Sequence, residues 1–287
     1  MRKNGETLPT PQESTRKDFP DTRPLRPVTK PVWKKILVIT TSVLAILLLV
    51  IGVALTVFWV GYPPTSVSTE IVKNNPELVV DRLNYISILG KTSGSEKILL
   101  FYPGAGVQPR AYVHNLFALR DVYRYILIVK FPANLAVLAN TRGDTVLTEF
   151  LQDFHYSTEY LKSTNIVLAG HSLVGAMLSE YYSRTKYKSL IQGVIFMGAY
   201  PSSNSLKDVA LPALFLYGEK DGLIETQKVT ASTEGWKNAK TEIIAGMNHA
   251  QWGDYGDQNG DLKPDVSSET AQKNATQKIR EWTTSLH

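Results

Sequence analysis

Three side chains in the C-terminal half of this chain have the types and order to break an ester together: Ser172, Asp221 and His249. A serine hydroxyl is a weak nucleophile until a neighbouring base removes its proton, and the base needs a third group to orient it. Ser172 lies in Gly170-His171-Ser172-Leu173-Val174-Gly175, directly after the apolar run Asn165–Ala169 and before a helical stretch beginning near Leu173. A strand–turn–helix of this kind lifts the hydroxyl above a sheet edge. It also sets it at a helix N-terminus, whose free N–H groups favour a developing anion. The backbone N–H of Leu173 is then an oxyanion donor. Taken alone, the segment reads equally as a capping turn, because serine is a common N-cap.

Asp221, in Gly218-Glu219-Lys220-Asp221-Gly222, follows the apolar run Ala213–Tyr217. His249, in Gly246-Met247-Asn248-His249, follows Thr241–Ile244. Both stand in strand-end loops, with His249 expected as general base and then acid, and Asp221 as the group that orients its imidazole. Glu219 and Glu225 are rival acids. Of the other histidines, His171 is expected to point away from the nucleophile, His114 and His155 fall in helical segments, and His287 is terminal. A second oxyanion donor is expected in Pro103-Gly104-Ala105-Gly106, after the strand Lys97–Tyr102, from the N–H of Ala105. A glycine turn serving only as a loop remains the alternative there.

These residues need a scaffold that brings distant strand ends together. Apolar runs at Asn84–Leu89, Lys97–Tyr102, Tyr125–Lys130, Asn165–Ala169, Gly193–Met197, Ala213–Tyr217 and Thr241–Ile244 read as strands covered on both faces. Helix-length segments lie between them at Arg110–Leu119, Gly143–Leu161, Leu173–Arg184, Ile224–Thr233 and Glu269–Leu286. The alternation implies an α/β fold: a mainly parallel sheet with helices on both faces and reactive groups at the strands' carboxyl ends.

Several segments also resemble the alpha/beta hydrolase superfamily, and within it the group called alpha/beta hydrolase family 5. They are Phe101-Tyr102-Pro103-Gly104-Ala105, Pro109-Arg110-Ala111-Tyr112 and Lys130-Phe131-Pro132-Ala133-Asn134-Leu135-Ala136, then Gly170-His171-Ser172-Leu173 and Gly198-Ala199-Tyr200-Pro201. Tyr217-Gly218-Glu219-Lys220-Asp221-Gly222 and Asn248-His249-Ala250-Gln251 complete the set. The resemblance runs from about Lys97 to the C-terminus. It implies Ser172, Asp221 and His249 as triad, activity on ester-like bonds, and no metal or organic cofactor. One departure stands out: the usual elbow has glycine two places after the serine, where this chain has Val174. A β-branched side chain there is expected to crowd the helix against a neighbouring strand.

The N-terminal part is of another kind. Residues 1–35 carry nine Lys or Arg and four acids, an excess equal to the whole chain's net charge of +5. The remainder is neutral, so the basic balance gives no sign of a nucleic-acid partner. Rich in proline and charge, this tail is expected to be disordered and cytoplasmic. The 25 residues from Ile36 to Val60 hold no charge and suffice for the ~20 that cross a bilayer. They end in Phe58-Trp59-Val60-Gly61-Tyr62, suited to the membrane boundary. Residues 36–62 are thus expected as a transmembrane anchor, 63–68 as a spacer and 69–287 as the hydrolase domain. Lys30, Lys34 and Lys35 precede the span, so the positive-inside tendency places that domain outside the cytoplasm. The chain has no cysteine, which excludes a thiol nucleophile and thiolate metal sites.

Asp254 to Asp261 looks superficially like a calcium loop. Counted from Asp257 it lacks the glycine at place six and the glutamate at place twelve, where Ser268 stands. The leading expectation is a membrane-anchored hydrolase of small-molecule or lipid-like esters acting through an acyl-enzyme. An acyltransferase using the same acyl-enzyme, or a non-catalytic binding module, are the alternatives.

Overall fold

The computed structural model of the protein describes residues 32–91 and 96–286. Of the expected basic tail, residues 1–31 lie outside the described residues. The apolar segment is one helix, α1 (Val32–Val60). Within it Val32–Val53 is long and apolar enough to cross a membrane, about 33 Å at 1.5 Å per residue. Its apolar side chains stand exposed, Leu49 by 67% and Trp33 by 60%. The hydroxyls of Thr40, Thr41 and Thr56 donate to carbonyls three or four residues back.

From Val50 onward the chain forms one compact unit. Its frame is an eight-stranded sheet of β1 (Val79–Asp81), β2 (Tyr85–Leu89), β3 (Lys97–Tyr102), β4 (Tyr125–Val129), β5 (Asn165–His171), β6 (Ile191–Met197), β7 (Ala213–Gly218) and β8 (Ala239–Ile244). The spatial order is β1-β2-β4-β3-β5-β6-β7-β8. Only the β1–β2 and β2–β4 pairings are antiparallel; β4 through β8 run parallel. The seven expected strands are present. β1 was not expected: three residues carry too little pattern to stand out from a loop.

Side chains alternate across the sheet into two cores. Ile98, Leu100 and Tyr102 face Phe150 of α4 (Arg142–Asp153), Leu178 of α6 (Val174–Arg184) and Val229 of α7 (Thr226–Thr233). Leu99 and Phe101 face Leu116 of α3 (Val113–Phe117) and Ile279 of α8 (Ser268–Ser285). Covering on both faces explains why the strands read as continuous apolar runs.

Two helical expectations change. The stretch Gly143–Leu161 is not one helix: α4 ends at Asp153, His155 takes φ 55, and α5 (Thr158–Lys162) follows. His155 therefore sits in the break rather than in a helix. Also, α2 (Ser66–Asn74) starts within the residues read as a spacer. Ser68 is fully buried, and its N–H donates to Asp254 Oδ2 at 3.0 Å.

Leu178, fully buried where α6 meets the sheet, reports on this packing. Leu178→Ala should lower the unfolding free energy by about 2–5 kcal/mol in a denaturant titration, with little change in the slope.

Candidate active site

Ser172 leaves β5 at φ 63, in a left-handed conformation that a non-glycine residue rarely adopts. Such a residue costs on the order of 1–3 kcal/mol and persists only where its surroundings fix it. Here the Ser172 N–H donates to Met197 O at the end of β6, and its carbonyl accepts from Gly175 N–H. The turn is an elbow in spite of Val174. That side chain is buried, with Cγ1 at 3.0 Å from where a β-carbon on Gly170 would stand. Gly170 thus provides the space, and Gly175 takes the close approach, where a β-carbon would meet Tyr200 O at 2.7 Å. The crowding expected from Val174 is absorbed at Gly170, two places before the Ser172–Val174 turn, and at Gly175, one place after it.

Asp221 and His249 come together from the ends of β7 and β8. His249 Nδ1 lies 2.9 Å from both carboxylate oxygens of Asp221. The two side chains are 2% and 0% exposed. Asp221 Oδ1 also accepts from the N–H groups of Leu223 and Ile224, at 3.1 and 3.0 Å. A buried carboxylate so supplied holds the imidazole in one orientation with its Nε2 free. That Nε2 has no hydrogen-bond partner among the described residues. The rival acids are committed elsewhere: Glu219 accepts from Gly246 N–H, and Glu225 pairs with Lys228.

Ser172 and His249 line one cavity of about 180 Å³ with Leu173, Ala199, Tyr200 and Ile224. Leu173, one expected oxyanion donor, is in its lining; the other expected donor is Ala105, in the glycine turn after β3. In the glycine turn, Gly104 N–H donates to Tyr112 Oη, Gly106 N–H to Asn134 O and Val107 N–H to Gly104 O. The Ala105 N–H is the one left uncommitted among the described residues, and so is that of Leu173 at the start of α6. Asn134 joins this turn to the end of α1: its carbonyl accepts from Gly106 N–H, and its side chain donates to Trp59 O. Three larger hollows, of about 460, 450 and 380 Å³, are not lined by Ser172.

Among the described residues no group of three or more His, Asp and Glu could hold a metal ion. The acidic loop after His249 has a different use. Asp261 Oδ1 accepts from Gly222 N–H at 2.9 Å and Oδ2 from Ala250 N–H at 2.8 Å. It thereby clamps the loop of Asp221 to the loop of His249.

An alpha/beta hydrolase family model matches residues 98–274, most of the folded domain. The chain belongs to the alpha/beta hydrolase family. No curated protein matches it in sequence. Among solved structures it is similar to a soluble variant of monoglyceride lipase from Saccharomyces cerevisiae, bound to a substrate analogue. That likeness has a TM-score of 0.50 at 10% identity and covers 72% of this chain and 93% of the lipase. It is also similar to lip1 from Acinetobacter baumannii AYE, with a TM-score of 0.51 at 12% identity, over 77% of this chain and 97% of that one. At such identities the likeness establishes the fold.

Two features of this family member were not legible as functional residues. Asp261 is one; the other is His171. Its Nδ1 lies 2.8 Å from Tyr112 Oη, and its ring centroid is 4.4 Å from that of His249. Tyr112 already accepts from Gly104, and burial pushes its phenol well above the ordinary tyrosine range, so its hydroxyl donates to His171 Nδ1. The imidazole is fully buried, and burial first, then the neighbouring His249, holds its pKa well below the usual histidine value. A tyrosine–histidine pair thus connects the glycine turn after β3 to the His249 ring.

Three outcomes follow from this geometry. Gly198, at φ 54, passes so close that a β-carbon would stand 2.9 Å from Asp221 Oδ2 and 3.0 Å from His249 Nδ1. Gly198→Ala should depress ester turnover by about 100-fold by displacing that pair. Asp261→Ala should lower kcat by about 10–100-fold while the far-ultraviolet spectrum is unchanged. His171 is neutral when folded, whereas the unfolded chain protonates it below about pH 6.5. Unfolding therefore takes up a proton, and stability should fall as pH drops below that value until the folded pKa is reached. His171→Gln should flatten this limb of the thermal midpoint between pH 7 and pH 5.

Proposed function

We propose that the protein is a membrane-anchored serine hydrolase of carboxylic esters. The observation that carries this reading is the buried Asp221–His249 pair, with Nδ1 2.9 Å from both carboxylate oxygens, opening on the cavity that Ser172 lines. Their roles follow from the chemistry of each group. His249 Nε2 takes the proton from Ser172 Oγ as the oxygen bonds to the ester carbonyl carbon, and the carbonyl oxygen becomes an oxyanion. The N–H groups of Ala105 and Leu173 donate to it, a contribution on the order of 10²–10³ in rate for one such donor. Asp221 stabilises the imidazolium without taking its proton.

The tetrahedral adduct then collapses. The C–O bond to the leaving alcohol breaks, His249 returns the proton to that oxygen, and the acyl group stays on Ser172. Water gives its proton to His249 and attacks the acyl carbon; the Ser172 C–O bond breaks and the serine regains its proton. The absent Nε2–Ser172 hydrogen bond is in keeping with unliganded sites, where such bonds are often long and tighten once substrate is bound. A cavity of about 180 Å³ is small beside the ~300–1,000 Å³ that enclose drug-sized ligands. It suits the acyl end of an ester whose alcohol part lies outside.

The anchor half of the reading rests on α1. Val32–Val53 matches a bilayer core in length, and Lys34 and Lys35 at its start favour a cytoplasmic N-terminus, with the catalytic domain on the far side. Among similar structures, monoglyceride lipase from Saccharomyces cerevisiae is described with a substrate analogue bound.

A fluorophosphonate probe tests the nucleophile. The full chain in detergent should take up one label on Ser172, and Ser172→Ala should take up none. Folded chain that stays unlabelled, or label retained in Ser172→Ala, would contradict the assignment.

A further inference from the structure

Four hydrogen bonds join the end of α1 and Tyr62 just beyond it to two loops: three go to Gly106 and Gln108, beside Ala105, and one to Asn134 after β4. Tyr62 N–H donates to Gly106 O at 2.7 Å, and Gln108 N–H donates back to Tyr62 O at 3.0 Å, making Tyr62 and Val107 a parallel bridge. Gln108 Nε2 donates to Val60 O at 2.9 Å, and Asn134 Nδ2 to Trp59 O at 3.2 Å. Nothing here behaves as a slack linker. The last residues of α1 are attached to loops that follow β3 and β4, at the carboxyl edge of the sheet. Ser172, Asp221 and His249 stand on that same edge.

The exposed apolar residues of the domain gather there too. From Pro63 onward, nine large hydrophobic side chains are exposed among the described residues. Six belong to carboxyl-edge loops: Leu83, Val137, Leu138, Leu173, Leu223 and Leu262. Leu83 qualifies because Tyr85, at the start of antiparallel β2, pairs with Val129 at the end of β4. It is 88% exposed, and Val137 and Leu138 are 59% and 54% exposed. Of the other three, Val67 is in α2, Val209 precedes β7 and Ile243 lies on edge strand β8. Exposed aliphatic side chains gathered at one edge mark an interaction face, and the helix end fixed to that edge names the partner as lipid.

We infer that the carboxyl edge rests on the bilayer surface where α1 ends, and that the hydrolase draws its ester from that leaflet, acyl chain first. The inference rests on the anchored-hydrolase reading and adds the orientation of the domain and the source of the substrate. Water-soluble esters would reach Ser172 without using this face; esters held in a bilayer would depend on it.

Because the chain has no cysteine, single labels can read the orientation directly. The full chain carrying Leu138→Cys, or Ser189→Cys beside the amino end of β6, is labelled with a small fluorophore. It is then reconstituted in phosphatidylcholine vesicles with or without brominated acyl chains. Brominated lipid should quench most of the fluorescence at position 138 and little at 189. Equal quenching at both, the reverse order, or failure of the chain to float with the vesicles would overturn the inference. In a second measurement, Leu83→Asp with Leu138→Asp should slow hydrolysis of a long-chain ester held in the vesicles by about tenfold. Hydrolysis of a water-soluble acetate ester should stay unchanged. Equal effects on both esters, or none on either, would count against docking. Failure of the hydrolase reading itself shows separately, as an unsubstituted chain that turns over neither ester while the quenching pattern remains.

Discussion

A carboxylate taken out of water is costly unless charge and hydrogen bonds replace what water gave it. Asp221 is such a carboxylate: it meets His249 on one side and the N–H groups of Leu223 and Ile224 on the other. Much of the surrounding structure serves that pair. Asp261 fixes the two loops that bear it to each other. Asn248 and Gln251 exchange hydrogen bonds across His249, N–H to side-chain oxygen in both directions, so the histidine sits on a closed turn. Asn115 and Gln272, from α3 and α8, donate to carbonyls of Gln251 to Gly253 just beyond. The imidazole is thereby held from the helix layer on one face of the sheet.

The proposed oxyanion side is built by the opposite principle, with backbone N–H groups assigned one by one until one is left over among the described residues. Tyr112, Asn134 O and Gly104 O account for its neighbours, and Ala105 remains. His171 links the two sides, bonded to Tyr112 and with its ring tilted against that of His249. A preorganised site gains because its dipoles need not turn as charge develops. The end of α1 adds a third attachment, to the same turn, so in the proposed reading anchorage and oxyanion binding share one segment of chain.

Much of this was legible in the sequence. Strands buried on both faces declare themselves as apolar runs, and each chemical residue stood within a few places of a run's end. Ser172, Asp221 and His249 could be read from that placement and their order. What escaped depends on partners distant in the chain or on weak local pattern. Asp261 stood in a loop with only a superficial calcium-loop likeness, because its partner Gly222 lies 39 residues away. His171 was read as pointing away, and only the fold brings Tyr112 to it. Helix α2, Ser66-Val67-Ser68-Thr69 followed by Glu70, has little apolar stripe, so residues after Pro63-Pro64 passed for a spacer. The break at His155 carries no glycine or proline signal. Val174 looked damaging because the neighbouring space, at Gly170, is invisible until the helix is in place.

The most direct test is the mass of the intact chain, quenched in acid during turnover of a short-chain ester. A single acyl group per chain, mapped to the peptide containing Ser172 and lost in Ser172→Ala, is the predicted result. Ester hydrolysis that continues undiminished in Ser172→Ala, or an acyl group found on another residue, would contradict it.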